Sequence, residues 1–220
     1  MLAINRKIVR TSLCLIVALL VAAYFVGPVI GITCLFSLHK QGGVAVWFES
    51  ILFMSCALLL GLTALHLKNK GKMSYWRWSA FAAVLLYLSV NSATGVNKKP
   101  VDKFTDRAWW FDGLFVEFGL FIFLAIILLL VLKPVLEDMP GNLRWQFFIS
   151  GLVFALGAIV VDDLDHLLFR GNNTWLYVLE EVLEFFGEIL LLDAILSFIG
   201  AQIGPISLNF SPHQEQLDKD

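Results

Sequence analysis

The sequence predicts an all-α fold, a polytopic membrane helix bundle of about six transmembrane helices, N-in and C-in. Three observations predict it. The chain has 220 residues, of which 59% are hydrophobic and 15% charged, and its mean hydropathy is +0.79. A soluble domain of this size has no use for that much apolar surface. Long unbroken apolar runs recur, such as Leu120–Leu132, and approach the ~20 residues that span a hydrocarbon core of about 30 Å. A membrane β-barrel would instead show short segments of alternating polarity.

The first span is read as Thr11–Leu38, with Gly27-Pro28 as a kink. The N-terminus also has the look of a signal peptide, with Val21-Ala22-Ala23 as a cleavage site. The apolar run, however, continues to Leu38, which favours an uncleaved first helix. The second span, Val44–Leu67, ends in the basic cluster Lys68, Lys70 and Lys72. The third is Trp76–Val96, the fourth Phe111–Leu132, the fifth Trp145–Phe169 and the sixth Trp175–Ala201. Every tryptophan falls near an expected span end, where an aromatic belt belongs. Residues 1–204 therefore read as one transmembrane domain, and 205–220 as a disordered polar cytoplasmic tail. Placing the N-terminus in the cytoplasm puts Arg6, Lys7, Arg10, the Lys68–Lys72 cluster, Arg77, Lys133 and Arg144 on that side, the larger share of the cations.

Several function classes drop out. There is no basic domain and no nucleic-acid-binding motif, so nucleic acid is excluded as a partner. The partners that remain are the lipid bilayer and a protein partner or a second copy of the chain. Cys14, Cys34 and Cys56 lie inside expected spans without CxxC spacing and read as packing residues. No HExxH, GxSxG, Walker or dinucleotide fingerprint occurs.

What remains is acid placed where apolar residues belong. The sixth span carries Glu180, Glu181, Glu184, Glu188 and Asp193. A charge at membrane depth costs a few kcal/mol or more, roughly, unless it has a partner, a proton or a wet cavity. At 1.5 Å per residue, Glu180 lies roughly 8 Å below Trp175 and Glu188 roughly 20 Å below. At 100° per residue the glutamates fall within an arc of about 100°, and Asp193 falls on another face. The fifth span ends on the same outer side with Asp162, Asp163 and His166. The fourth begins there with Asp112 and Glu117, and the second with Glu49. The third ends there with Ser89, Asn91, Ser92, Thr94 and Asn97.

The expected ligand-binding set is Glu181, Glu184, Glu188, Asp162, Asp163, His166 and Glu117. So many carboxylates cannot all be ionised together in a low dielectric, so protons or cations must share the site. Asp163-x-x-His166 and Glu181-x-x-Glu184 also have the spacing that helical bundles use for divalent metal ions. The set is poor in nucleophiles.

The last helix reads Leu179-Glu180-Glu181-Val182-Leu183-Glu184-Phe185-Phe186-Gly187, the fifth carries Gly157-Ala158 followed by Asp162, and the third ends Ser89-Val90-Asn91-Ser92. In these stretches the chain resembles a loose group of uncharacterised bacterial multi-pass membrane proteins with a Leu-Glu-Glu-x-x-Glu-x-x-Gly last helix. The group's third-helix Asp, Glu, His and Glu are replaced here by Asn91, Ser92, Asn97 and Lys98. The resemblance implies a membrane bundle in the bacterial inner (plasma) membrane. With the acidic face it gives the expectation of an outward-facing intramembrane pocket that binds or transports cations or protons. An accessory structural subunit and a metal-dependent membrane hydrolase acting on lipid are the alternatives.

Overall fold

A computed structural model describes residues 2–3, 5–27, 38, 43–94, 133, 136, 139–161, 164, 168, 173–202 and 207–208. Helix α1 spans Arg6–Val26, α2 Val44–Asn69, α3 Tyr75–Thr94, α4 Gly141–Ala155 and α5 Thr174–Gln202. Three described stretches are long and apolar enough to cross a membrane: Arg6–Val26, Val44–Asn69 and Gly141–Val161. The expected fourth span, Phe111–Leu132, lies outside the described residues.

Asparagine side chains cap the starts of α1 and α5. Asn5 caps α1, its Oδ1 accepting from the Lys7 amide at 3.1 Å. That cap starts the helix ahead of the expected Thr11. Asn173 caps α5 in the same way, accepting from the Trp175 amide at 3.0 Å and the Leu176 amide at 3.3 Å. Pro140 occupies the cap position of α4. Just ahead of it, the Arg144 guanidinium folds back onto the Leu136 carbonyl at 2.8 Å.

Helices α2 and α3 form an antiparallel hairpin. Its turn uses Gly71 at φ 68°, a conformation that favours glycine. Small hydroxyls let the two helices approach: Ser50 Oγ donates to the Ser89 carbonyl at 2.9 Å, and Ser89 Oγ donates to the Ser50 carbonyl at 2.8 Å. Both serines are buried.

Helix α5 is the central element. Among its buried positions, Val178, Glu181, Phe185, Glu188, Leu192, Ile195 and Ile199 follow one another at alternating steps of three and four. This is the spacing of a heptad seam. Against it α1 runs antiparallel, with Tyr24 on Tyr177, Phe25 on Trp175 and Arg10 beside Asp193. Helix α2 runs parallel to α5, with Phe48 against Phe185 at 5.6 Å. Helix α3 reaches it through Trp78, which stacks on Phe198 at 4.4 Å. The expected belt role of Trp78 is therefore corrected. It is a buried core residue, because α3 turns that face to the far end of α5. Trp47, Trp76, Trp145 and Trp175 are exposed, as a belt requires.

Helix α4 continues into a π-helical stretch, Leu156–Val161, and packs antiparallel on α5 through two glycines. A Cβ at Gly187 would stand 2.7 Å from the Phe154 amide nitrogen. One at Gly157 would stand 2.8 Å from the Glu180 carbonyl oxygen and 3.1 Å from Glu184 Cγ. Only glycine permits backbones this close.

A two-residue strand, β1 (Leu2–Ala3), pairs antiparallel with β2 (Ser207–Leu208), Leu2 opposite Leu208. The pair sets residues 2–3 beside residues 207–208. Apart from these two residues, the expected 205–220 tail lies outside the described residues.

Candidate functional site

The seam of α5 assigns the acids to two kinds of position. Glu181 and Glu188 occupy core positions that otherwise hold Val178, Phe185, Leu192, Ile195 and Ile199. Glu180 and Glu184 are half-buried at the edge of the seam, beside Gly157 of the π-helical stretch.

Glu188 is the middle residue of the 29-residue α5. It lies roughly 21 Å from either end at 1.5 Å per residue. Its side chain is 1% exposed, and neither carboxylate oxygen has a hydrogen-bond partner among the described residues. Glu49, Glu184 and Glu181 all lie within its electrostatic reach, as does the buried thiol of Cys56. Glu49 is held in turn by α3: Ser92 Oγ donates to its Oε2 at 2.7 Å. Glu188 of α5 thus stands near Glu49 of α2, which Ser92 of α3 holds, and near Glu181 and Glu184 of its own helix.

An ionised, unpartnered carboxylate in such a place costs on the order of several kcal/mol. A neutral carboxyl costs less, though an unsatisfied buried polar group still forfeits about 1–3 kcal/mol. Tyr177, one turn before Glu181 on the same helix, faces Glu181, Glu180 and Tyr24 electrostatically. It was not among the residues singled out from sequence, although Tyr177 and Glu181 stand at the i, i+4 spacing of a facing helical pair.

Asp193 stands apart, as its angle on the helix predicts. Arg10 Nη1 of α1 lies 3.6 Å from Asp193 Oδ2. The Arg10 side chain is half exposed, and a pair of that kind contributes about 0–1 kcal/mol. We expect Arg10→Ala to lower stability by no more than that amount. A larger loss in a thermal scan would show that the pair holds α1 onto α5.

Asp162, Asp163, His166 and Glu117 lie outside the described residues. So do Asp112, Asn97, Lys98 and the Asn97–Trp110 loop. The two-metal spacing of Asp163, His166, Glu181 and Glu184 therefore rests, in the described part, on Glu181 and Glu184 alone. Among the described residues, no three of His, Cys, Asp and Glu converge as a metal-holding group.

A family model described as Domain of unknown function (DUF8692) matches residues 13–198. The chain belongs to this family. The DUF8692 match takes in α2, α3, α4 and the whole acidic face of α5, so Glu49 and Glu188 lie inside it. Arg10 lies ahead of its first residue. No curated protein and no solved structure matches the chain.

Proposed function

We propose that this chain is an integral membrane protein of the bacterial inner membrane that binds protons at an intramembrane carboxyl, Glu188. The neighbouring Glu49, Glu181 and Glu184 share or relay the charge. The observation that carries the reading is the fully buried carboxylate of Glu188 at the centre of α5, with no hydrogen-bond partner among the described residues. Intramembrane carboxyls of this kind belong to ion pathways and proton relays.

Three features support the membrane setting and the side of access. Three helices have the length and apolarity to cross a bilayer. The pairing of residues 2–3 with 207–208 fits an even number of crossings between them. The carboxylates crowd into the Trp175 half of α5, which the charge distribution assigns to the outer side. The likeness to the bacterial multi-pass group fits the same picture. In its Leu-Glu-Glu-x-x-Glu-x-x-Gly stretch, Glu181 enters the seam, Glu184 borders Gly157, and Gly187 admits α4. A basic partner helix is not required for Asp193, which has Arg10 within the chain.

The test is infrared difference spectroscopy of the protein in nanodiscs across a pH titration. A protonated-carboxyl C=O band is expected that responds to pH in the wild type and is missing in Glu188→Gln. A wild-type spectrum with no such band, or a band unchanged in Glu188→Gln, would overturn the proton reading. A band abolished by added calcium at constant pH would transfer the site to a cation.

A further inference from the structure

The helix directions gather positive charge at one end of the bundle. At the Gln202 end of α5, α1 starts, α2 ends, and α3 and α4 start. Every lysine and arginine among the described residues belongs to those helix ends or to the residues beside them. Arg10 stands beside Asp193, and Arg77 directly precedes Trp78, which stacks on Phe198. Asp193 and Phe198 lie roughly 27 Å and 35 Å along α5 from Trp175 at 1.5 Å per residue. A hydrocarbon core is about 30 Å thick, so these cations fall at its far boundary. Trp76 and Trp145, both exposed, belong to the same helix starts, as interfacial aromatics do. Among the described residues, Asp193 is the one carboxylate near this end, and it already has Arg10.

The turn between α2 and α3 concentrates this charge. Residues 68–77 carry Lys68, Lys70, Lys72 and Arg77 and no acid. None of the four has a carboxylate partner among the described residues. Aromatic faces position two of them instead. Lys68 Nζ lies 5.9 Å from the centre of the Tyr75 ring, and the Arg77 guanidinium 5.5 Å from that of Trp76. Between the cations, Met73 is 79% exposed and Trp76 is 50% exposed. Water favours the lysines but not the apolar side chains set among them. A headgroup layer suits both, with ammonium groups against phosphates and Met73 and Trp76 toward the acyl chains. We propose that this turn is a docking surface for the phosphates of anionic phospholipids in the adjoining leaflet. Arg6 and Lys7, exposed at the start of α1, add charge at the same end. A surplus of Lys and Arg orients a chain in the bilayer. Cations without carboxylate partners, interleaved with exposed apolar side chains, go further and select lipids by headgroup charge. The inference rests on the membrane setting and is independent of the charge state of Glu188.

The test uses the full chain in phosphatidylcholine vesicles with a trace of spin-labelled phosphatidylglycerol or spin-labelled phosphatidylcholine. The motionally restricted fraction of each label, read by electron paramagnetic resonance, gives the preference for the anionic lipid. The wild type is expected to prefer phosphatidylglycerol roughly fivefold, the equivalent of the about 1 kcal/mol that one cation near an anionic surface contributes. In 1 M salt, where charges are screened beyond about 3 Å, the preference should fall toward parity. The triple variant Lys68→Gln, Lys70→Gln, Lys72→Gln should show parity at low salt too. Its thermal midpoint should stay as in the wild type, because all three side chains are exposed. Parity in the wild type at low salt would overturn the proposal, as would a preference that salt does not weaken or one that the triple variant retains. A wild type without lipid preference that binds a polyglutamate peptide through the same lysines would also overturn it, and would assign the turn to an acidic protein partner. The salt comparison needs no variant, and none of these outcomes bears on the carboxyl band of Glu188.

Discussion

Gly187→Ala is expected to destabilise the protein more than any other single-methyl addition among the described helices. The new Cβ would fall 2.7 Å from the Phe154 amide nitrogen and 2.8 Å from its Cα. These are backbone atoms where α4 runs on into the π-helical stretch, so no rotamer change relieves the contact. Relief requires α4 to move away from α5. Overpacking of this kind typically costs about 1–3 kcal/mol, and more where backbone must move. The matched control is Gly151→Ala on α4, where nothing stands within 4 Å of the added atom. There the substitution should be neutral or favourable by up to about 1 kcal/mol, the helix propensity difference between glycine and alanine. Thermal unfolding of the two variants in the same detergent measures the contrast. Equal midpoints would mean that the α4–α5 approach at Gly187 does not hold in solution. Gly157→Ala makes a second comparison, since its Cβ meets both the Glu180 carbonyl and the Glu184 side chain. It should disturb the acidic face as well as the packing.

How far this arrangement was legible in the sequence differs from element to element. The apolar runs announced α1, α2 and α4 because burial in oil and helical hydrogen bonding leave a length signal that needs no tertiary information. Helix ends were less legible. α1 begins at Arg6 because Asn5 caps it, and a cap is a single-residue event that a hydropathy average smooths over. The angular position of Glu188 and its depth followed from helix geometry alone. Its lack of a partner did not, because that depends on what α2 and α3 bring to the same level.

Trp78 shows the same limit. Proximity to a span end suggested the belt, yet Phe198 covers it from a helix more than a hundred residues away in the chain. Arg10 and Asp193 are equally remote in sequence, and no local pattern could pair them. The seam itself was available in the spacing of Val178, Glu181, Phe185, Glu188, Leu192, Ile195 and Ile199. Counting glutamates as an acidic arc obscured the fact that two of them stand in core positions.

That placement sets stability against function at one residue. Glu188→Leu removes an unpartnered polar group from the core and substitutes a side chain of the seam's own kind, between Phe185 and Leu192. The desolvation burden of an unsatisfied buried polar group is about 1–3 kcal/mol, so the variant is expected to be more stable than the wild type by a comparable amount. A non-hydrogen-bonding replacement of similar volume needs no new cavity, which limits the packing loss. Glu49 and Glu184 also lose a neighbouring carboxyl, so like-charge crowding falls at the same time. Proton binding should vanish in the same variant. Glu188→Gln separates the two effects, since it keeps the polar group and removes only the titration. It should match the wild type in thermal midpoint and match Glu188→Leu in the missing carboxyl band. A thermal scan of the three proteins, run beside the infrared titration, decides between roles. If Glu188→Leu unfolds at a lower temperature than the wild type, the carboxylate is a structural anchor with a partner that holds it. If it unfolds at a higher temperature and has lost the band, a residue unfavourable to the fold is held at the centre of α5 for the charge it binds.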